Sequence, residues 1–84
     1  MTVRMRYPDV PGVLGRITSR IGEEDGLIGA VDVVDTRGNR ITRDITFDAA
    51  DVAHGERVVS ALRSMPELEI VNVSDRVFRQ HLRH

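Results

Sequence analysis

The chain has 84 residues, a formal net charge of −1 and no cysteine. A chain of this length forms one domain with a thin core, because it buries only about 60 to 65% of the surface that its unfolded form exposes. The charge excludes a broad cationic surface for nucleic acid or a membrane, and the lack of cysteine excludes a disulfide framework and a thiolate nucleophile. No apolar signal core or membrane-length run occurs, so we expect a cytoplasmic protein.

The first half of the sequence begins with a strand pattern and changes to a helix pattern. Thr2 to Tyr7 alternates and places Val3, Met5 and Tyr7 on one face, which predicts a half-buried strand. Further along, the apolar residues fall on one helical face instead; they are Val13, Leu14, Ile17 and Ile21. We expect Gly26 to supply the left-handed residue that ends this helix.

Two further strands follow the first helix. Leu27 to Thr36 is β-rich and apolar on both faces over part of its length, so we expect both faces to be covered. Arg37 to Asn39 predicts a hairpin turn. Arg40 to Phe47 then returns as a strand whose inward side chains are Ile41, Ile45 and Phe47.

The second half of the sequence repeats this plan. Asp48 is the expected N-cap of a second helix, whose apolar stripe runs from Val52 to Met65, and Leu68 to Phe78 predicts the last strand. The order of elements predicts an α+β fold, a ferredoxin-like βαββαβ sandwich in which a four-stranded antiparallel sheet carries two helices on one face. We expect this domain to span residues 1–78 and residues 79–84 to form a C-terminal tail.

The strand from Leu27 to Thr36 bears on assembly. We expect it at the edge of the sheet, where an apolar strand is an aggregation hazard unless something pairs with it. Self-pairing about a two-fold axis would use this edge and predicts a domain that is at least dimeric. The alternative is an edge protected by its twist and by the charges of Asp32 and Asp35.

Three segments carry a family resemblance, namely DVPGVLGRITSRI, DGLIGAVDVVDT and AADVAHGERVVSAL. They resemble the ACT domain, a small ligand-sensing module fused to many metabolic enzymes, over about Thr2 to Phe78. The resemblance implies regulation rather than catalysis, in a homo-oligomer that pairs sheet edges or helices and binds a small effector, such as an amino acid, at the interface. The ligand-binding residues that it implies are Tyr7, Asp9, Val10, Pro11, Gly12, Val13, Leu14 and Ile28. It implies no catalytic residue, metal or cofactor.

The turn before the first helix suits the binding of a small anion. Pro11 fixes the approach of the chain, Gly12 lacks a side chain that would block close contact, and the first N–H groups of the helix have no intrahelical acceptor. The helix dipole favours an anionic group there by about 0.3 to 1 kcal/mol. The alternative is a simple strand-to-helix turn in which Gly12 is needed only for packing.

Two positions depart from the amino-acid-binding members of the family, which resemble one another in placing an amide side chain in this loop and another at the start of the second strand. Asp9 and Ile28 stand near those places here. Asp9 could hold an ammonium group but would repel a carboxylate, and Ile28 offers only apolar contact. The effector is therefore open: an amino acid, another metabolite, or none, in which case the domain would serve only to dimerise its parent.

The end of the chain, HGERVVSALRSMPELEIVNVSDRVFRQHL, resembles the end of the ACT domain that precedes the catalytic part of some bacterial NAD-type malic enzymes. This resemblance implies a regulatory fragment whose tail leads into a catalytic domain, to which the oxidation of malate would belong. No G-x-G-x-x-G follows a strand, so the chain itself carries no NAD-binding motif.

Other functions of this fold find little support in the residues. An acylphosphatase-like enzyme needs an arginine-bearing anion loop, and Gly12 to Arg16 lacks the spacing of that loop. An RNA-recognition domain needs aromatic rings on the central strands, where this chain offers only Tyr7 and Phe47 without a basic surround. His81 and His84 have helical metal-ligand spacing but fall at a chain end, where a solvated tail is the usual outcome. We interpret His54 as a surface or rim residue.

Overall fold

The computed structural model describes residues 1–75. Its elements are β1 (Thr2–Pro8), α1 (Val13–Glu23), β2 (Leu27–Arg37), β3 (Arg40–Asp48), α2 (Val52–Arg63) and β4 (Glu69–Ser74). All neighbouring strands are antiparallel, in the order β2-β3-β1-β4, which confirms the predicted fold and places β2 at an edge. Residues 76–78 of the predicted last strand, the predicted tail and the His81 and His84 pair lie outside the described residues.

The core lies between the sheet and its helix layer. Alternate residues of β1 and β3 and one stripe of each helix are fully or almost fully buried, namely Val3, Met5, Tyr7, Ile41, Ile45, Phe47, Val13, Ile17, Ile21, Val58 and Leu62. The period-2 and period-3.6 patterns therefore identified the right faces. Val52 is the exception in the second stripe, because it begins α2 and is 67% exposed.

The predicted end of α1 is wrong by one residue. The left-handed residue is Asp25, with φ of 64°, and not Gly26. The N–H of Gly26 donates to the carbonyl of Ile21 at 2.9 Å, and that of Asp25 donates to Gly22 at 3.0 Å, which is the Schellman arrangement. Gly26 is needed for space instead, because a Cβ there would lie 2.6 Å from Cγ2 of Ile21.

The predicted start of α2 is also wrong. Asp51, not Asp48, is the N-cap, and its carboxylate accepts a hydrogen bond from the N–H of His54 at 2.8 Å. Asp48 cannot take this place because it still belongs to β3, where it pairs with Leu27 of the edge strand.

His54 is buried, 7% exposed, so its interpretation as a surface residue is wrong. Its Nδ1 accepts from the N–H of Ala50 at 2.9 Å, which leaves the proton on Nε2 to be donated to the carbonyl oxygen of Glu24. The imidazole thus joins the start of α2 to the C-cap of α1. A contact across 30 residues explains why local sequence did not reveal it.

The sheet face that points away from the helices is polar. Arg4 donates to both carboxylate oxygens of Asp44 at 2.9 and 3.0 Å, and the hydroxyls of Thr2 and Thr46 lie 2.9 Å apart. The hydrogen bonds that Arg4 donates to Asp44 raise the pKa of its guanidinium, and the negative charge of Asp44 adds to this effect. A face paired within itself in this way offers little apolar surface for a second layer.

Candidate functional site

The loop from Asp9 to Gly12 leads from β1 into α1 and lies beside the β2–β3 hairpin. The N–H of Asp9 donates to the carbonyl of Asn39 at 2.8 Å, and that of Val10 donates to Pro8 at 2.9 Å. All four loop residues are exposed, Val10 by 51%. Asp9, Val10, Pro11 and Gly12 are therefore the predicted site residues that a ligand could reach directly.

Gly12 has a conformational reason to be glycine. It is the N-cap of α1 with φ of 94°, in the left-handed region that side chains disfavour, and a Cβ there would lie 3.3 Å from Nη1 of Arg16. No side chain caps α1. The first turn consequently presents backbone N–H groups beside an exposed loop, the local geometry that favours an anion.

The predicted site residues on either side of the loop belong to the core. Tyr7 and Val13 are each 2% exposed, and Leu14 is half-buried against the core. The side chains of Tyr7 and Val13 therefore pack beneath the loop with almost no surface for a ligand, whereas Leu14 keeps part of its surface exposed. The hydroxyl of Tyr7 is buried and has no hydrogen-bond partner among the described residues.

Ile28 lies at the opposite end of the sheet from the loop. It pairs with Phe47 on β3, whereas Tyr7, next to the loop, pairs with Ile41. Six residues of strand separate these two rows, or about 20 Å at the usual rise per residue. One chain therefore does not bring Ile28 and the loop together.

The edge strand β2 is uncovered within the described chain, contrary to the expectation that both its faces are covered. Its large apolar residues are exposed: Leu27 by 69%, Val31 by 37%, Val33 by 57% and Val34 by 41%. The strand pairs with β3 alone and shifts register twice along its length. Its outer row of backbone groups is free to pair with another strand.

Arg16 connects the start of α1 to the segment before β4. Its Nε donates to a carboxylate oxygen of Glu67 at 3.1 Å. The pKa of Glu67 is lowered first by a hydrogen bond from its own backbone N–H and then by the one from Arg16. A shallow depression of about 500 Å³ follows this side of α1 from Gly12 to Met65 and does not include the other loop residues, so the loop lines no enclosed cavity there.

Sequence reasoning missed Arg43. It lies on the helix side of β3, between Met5 and Val33 in the register, where the alternation of β3 calls for an apolar residue. Its Nε is buried without a hydrogen-bond partner among the described residues. A charged residue at an inward position of an otherwise apolar strand was the available signal.

Residues 1–75 lack two kinds of feature. No group of three or more His, Cys, Asp or Glu residues that could hold a metal ion occurs there. Neither of the two helices in that range is long and apolar enough to cross a membrane.

Comparison with known families decides what this arrangement is. Residues 1–73 match the family model of the ACT domain. The chain belongs to the ACT domain family. ACT domains are small regulatory units rather than catalytic ones, and they generally bind small-molecule effectors and form oligomers. The predicted resemblance is thereby confirmed.

Two malic enzymes are similar to this ACT domain in sequence. The NAD-dependent malic enzyme of Geobacillus stearothermophilus is 32% identical over 82 residues, which is 98% of this chain and 17% of that protein. NAD-dependent malic enzyme 1 of Bacillus subtilis (strain 168) is 33% identical over 81 residues, which is 95% of this chain and 18% of that protein. The chain thus spans less than a fifth of the length of these relatives.

Two solved structures share the fold. The ACT domain from GTP pyrophosphokinase of Chlorobium tepidum has a TM-score of 0.64 at 16% identity, over 83% of this chain and 94% of that one. A formyltetrahydrofolate deformylase from Pseudomonas putida KT2440 has a TM-score of 0.61 at 11% identity, over 88% of this chain and 28% of that one. At such identities the likeness is one of fold alone.

Proposed function

We propose that this ACT domain is a cytoplasmic sensor that dimerises through β2, binds a small effector between the two copies and controls an attached malate oxidoreductase. The observation that carries the proposal is the separation of about 20 Å between the loop and Ile28, combined with an exposed strand between them. A site that needs both ends of the sheet is incomplete in one chain.

Antiparallel pairing of two β2 strands about a two-fold axis would complete the site. The first half of one strand then lies against the second half of the other, because the axis passes near the strand centre. Since β2 runs from Leu27 to Arg37 and the loop borders its far end, Ile28 of the partner subunit would come near the loop. Each dimer would hold two equivalent sites.

The chemistry of the loop supports a polar effector. Asp9 is exposed and can accept hydrogen bonds from an ammonium group, while the uncapped N–H groups of α1 favour an anion a few residues away. Ile28 would add apolar contact from the other copy. Control of a malate oxidoreductase is proposed because the two sequence relatives are malic enzymes.

The test places a charge on each edge of the sheet. Val33→Lys introduces a lysine on the exposed edge strand, and Val71→Lys does so on the opposite edge strand β4, where the valine is 41% exposed. Light scattering across micromolar concentrations should give a dimer for the wild type and for Val71→Lys but a monomer for Val33→Lys. A wild type that scatters as a monomer throughout this range contradicts dimerisation.

Ligand binding is tested by thermal melting in amino acids, nucleotides and carboxylates. A sensor should show a concentration-dependent rise in Tm with at least one compound, and Val33→Lys should reduce this rise because half of each site is lost. Asp9→Asn should keep the site and shift its preference toward carboxylates, since a like charge is removed. A dimer with no ligand response would favour the purely structural role. In that case Gly12 is needed only because its φ is left-handed, and no effector is required to explain it.

A further inference from the structure

Arg43 stands out on the helix side of the sheet. Its neighbours on β3 at the same face are Ile41 and Ile45, both buried, and its cross-strand partners are Met5 and Val33. The residue itself is half-buried. A guanidinium in this row is unexpected because the positions around it are apolar.

The guanidinium lacks an acceptor for one of its donors. Nε of Arg43 is buried with no hydrogen-bond partner among the described residues, and arginine cannot give up its charge to avoid the cost. An unpaired buried donor is rare in native structures and calls for an explanation. The other such atom, the hydroxyl of Tyr7, lies on the same sheet face, on the residue that pairs with Ile41.

The edge strand offers no carboxylate to this row. The β2 residues on the helix side, read from the register, are Ile28, Val31, Val33 and Thr36. Asp32 and Asp35 pair with Asp44 and Thr42 and therefore belong to the polar face. A second copy paired through β2 would bring the same four side chains, so dimerisation alone supplies no counter-charge.

The acidic residues of α1 are engaged elsewhere. Glu23 and Glu24 lie 3.1 and 3.5 Å from Nη1 of Arg20 and are the only carboxylates of that helix and its C-cap. The acceptor for Arg43 is accordingly missing from the strands and the helix nearest the edge. An anion bound at this edge could supply it.

We propose that Arg43 is a second anion-binding group of the effector site, in addition to the free N–H groups of α1, and that the effector is a small carboxylate. The inference rests on the proposed function, because Arg43 pairs with Val33 on β2, the strand through which the two copies would pair. Arg43 lies three residues along β3 from Arg40, which pairs with Pro8, so about 10 Å of strand separates it from the loop. The carboxylate would therefore be held away from Asp9, whose charge would repel it.

The experiment compares three forms of the 84-residue chain: the wild type, Arg43→Met and Arg40→Met. Methionine keeps the length of the side chain and removes its charge, and Arg40 on the same strand is the control for net charge because it is exposed on the polar face. The probes are acetate, succinate and L-aspartate, with acetamide and succinamide as uncharged counterparts. Thermal melting and calorimetric titration follow binding, and light scattering follows the dimer.

The proposal expects at least one carboxylate, and neither amide, to raise the Tm of the wild type and of Arg40→Met. Arg43→Met should bind that carboxylate about 10- to 100-fold more weakly, the factor for a hydrogen bond to a charged group. Without ligand, Arg43→Met should melt at the same temperature or higher, because an unpaired buried donor is removed. A lower ligand-free Tm with unchanged binding would show that Arg43 is structural and overturn the proposal.

Other outcomes separate this inference from the proposed function. Equal binding of a carboxylate by the wild type and Arg43→Met removes Arg43 from the site and leaves the sensor intact. Stabilisation by the amides as much as by the acids overturns the carboxylate class. A wild type that is monomeric overturns the two-copy site on which both proposals depend, and a dimer that no carboxylate stabilises overturns the assignment of the effector.

Discussion

The two strand-to-helix connections of this domain are built in opposite ways. The connection into α2 is closed: Asp51 caps the helix, and His54 ties its first turn to Ala50 and to the end of α1. The connection into α1 is open, because Gly12 supplies no cap and the loop is exposed. A backbone hydrogen bond from Asp9 links this loop to the hairpin. The same fold unit thus serves stability in one half and access in the other.

In a repeated architecture, the capping of each helix start indicates where a ligand can bind. A helix start whose N–H groups are already satisfied by side chains has nothing left to offer a ligand, whereas an uncapped start keeps its donors. Both connections border the edge strand: the open one lies beside its hairpin end, and the closed one follows Asp48, which pairs with Leu27. Variants at each end should therefore change different properties.

The largest effect should come from His54→Ala at the closed end. The variant leaves the carbonyl of Glu24 and the N–H of Ala50 without partners and opens a cavity between the helices. We expect the free energy of unfolding to fall by about 2 to 4 kcal/mol, measured by chemical denaturation. A loss below about 0.5 kcal/mol, the size of a surface substitution, would contradict the structural role of this imidazole.

Two conservative variants separate the contributions of the two imidazole hydrogen bonds to this loss of stability. His54→Asn keeps an acceptor near the position of Nδ1 for Ala50, and His54→Gln can keep a donor near the position of Nε2 for Glu24. Each should lose less stability than His54→Ala. If both lose as much as alanine, the packing of the ring rather than its hydrogen bonds holds the helices together.

At the open end, Gly12→Val should lower the free energy of unfolding by about 1 to 3 kcal/mol, because valine is strained at a left-handed φ. Gly15→Ala is the matched control within α1, since nothing lies within 4 Å of a Cβ there. It should raise stability by about 0.5 to 1 kcal/mol. Thermal melting measures both, and an unchanged Tm for Gly12→Val would mean that the turn relaxes.

Two aspartates, one before each helix, should differ clearly in their contribution to stability. Asp51→Ala removes the cap of α2 and should lower the free energy of unfolding by about 0.5 to 2 kcal/mol. Asp9→Ala removes an exposed side chain from the open loop and should change it by no more than about 0.5 kcal/mol. Equal losses in denaturation would show that the loop carries more structure than its contacts indicate.

The sequence predicted the fold well because its periodicities report burial directly. Alternation marked the inward residues of β1 and β3, and a helical stripe marked α1. The helix ends were less predictable because several residues could fill each role. Asp48 and Asp51 are both good N-caps, and only the pairing of Asp48 with Leu27 decides between them.

The candidate site could be located only in part for a similar reason. The residue types of the loop made it a candidate for ligand binding, and its four residues are exposed. Local chemistry could not place Ile28, because its distance from the loop depends on the register of β2 with β3. Arg43 was overlooked because a single charged residue in a strand of alternating apolar residues does not by itself indicate an inward position. Only its pairing with Val33 places it on the helix side of the sheet.

The smallest effect concerns Arg16, whose hydrogen bond to Glu67 spans the exposed side of α1 near the open end. Because folding lowers the pKa of Glu67, the ionised carboxylate adds stability above its unfolded pKa, and this contribution is lost as the pH falls through the folded value. Arg16→Met should move the pKa of Glu67 upward, as followed by NMR titration. The rise should stop short of the usual value, because the hydrogen bond from the backbone N–H of Glu67 is the larger cause and remains.

Arg20→Met, which removes a charge that pairs with Glu23 and Glu24, should leave the Glu67 titration unchanged. A complete return to the usual pKa in Arg16→Met would mean that the ion pair, and not the backbone, holds this segment against α1.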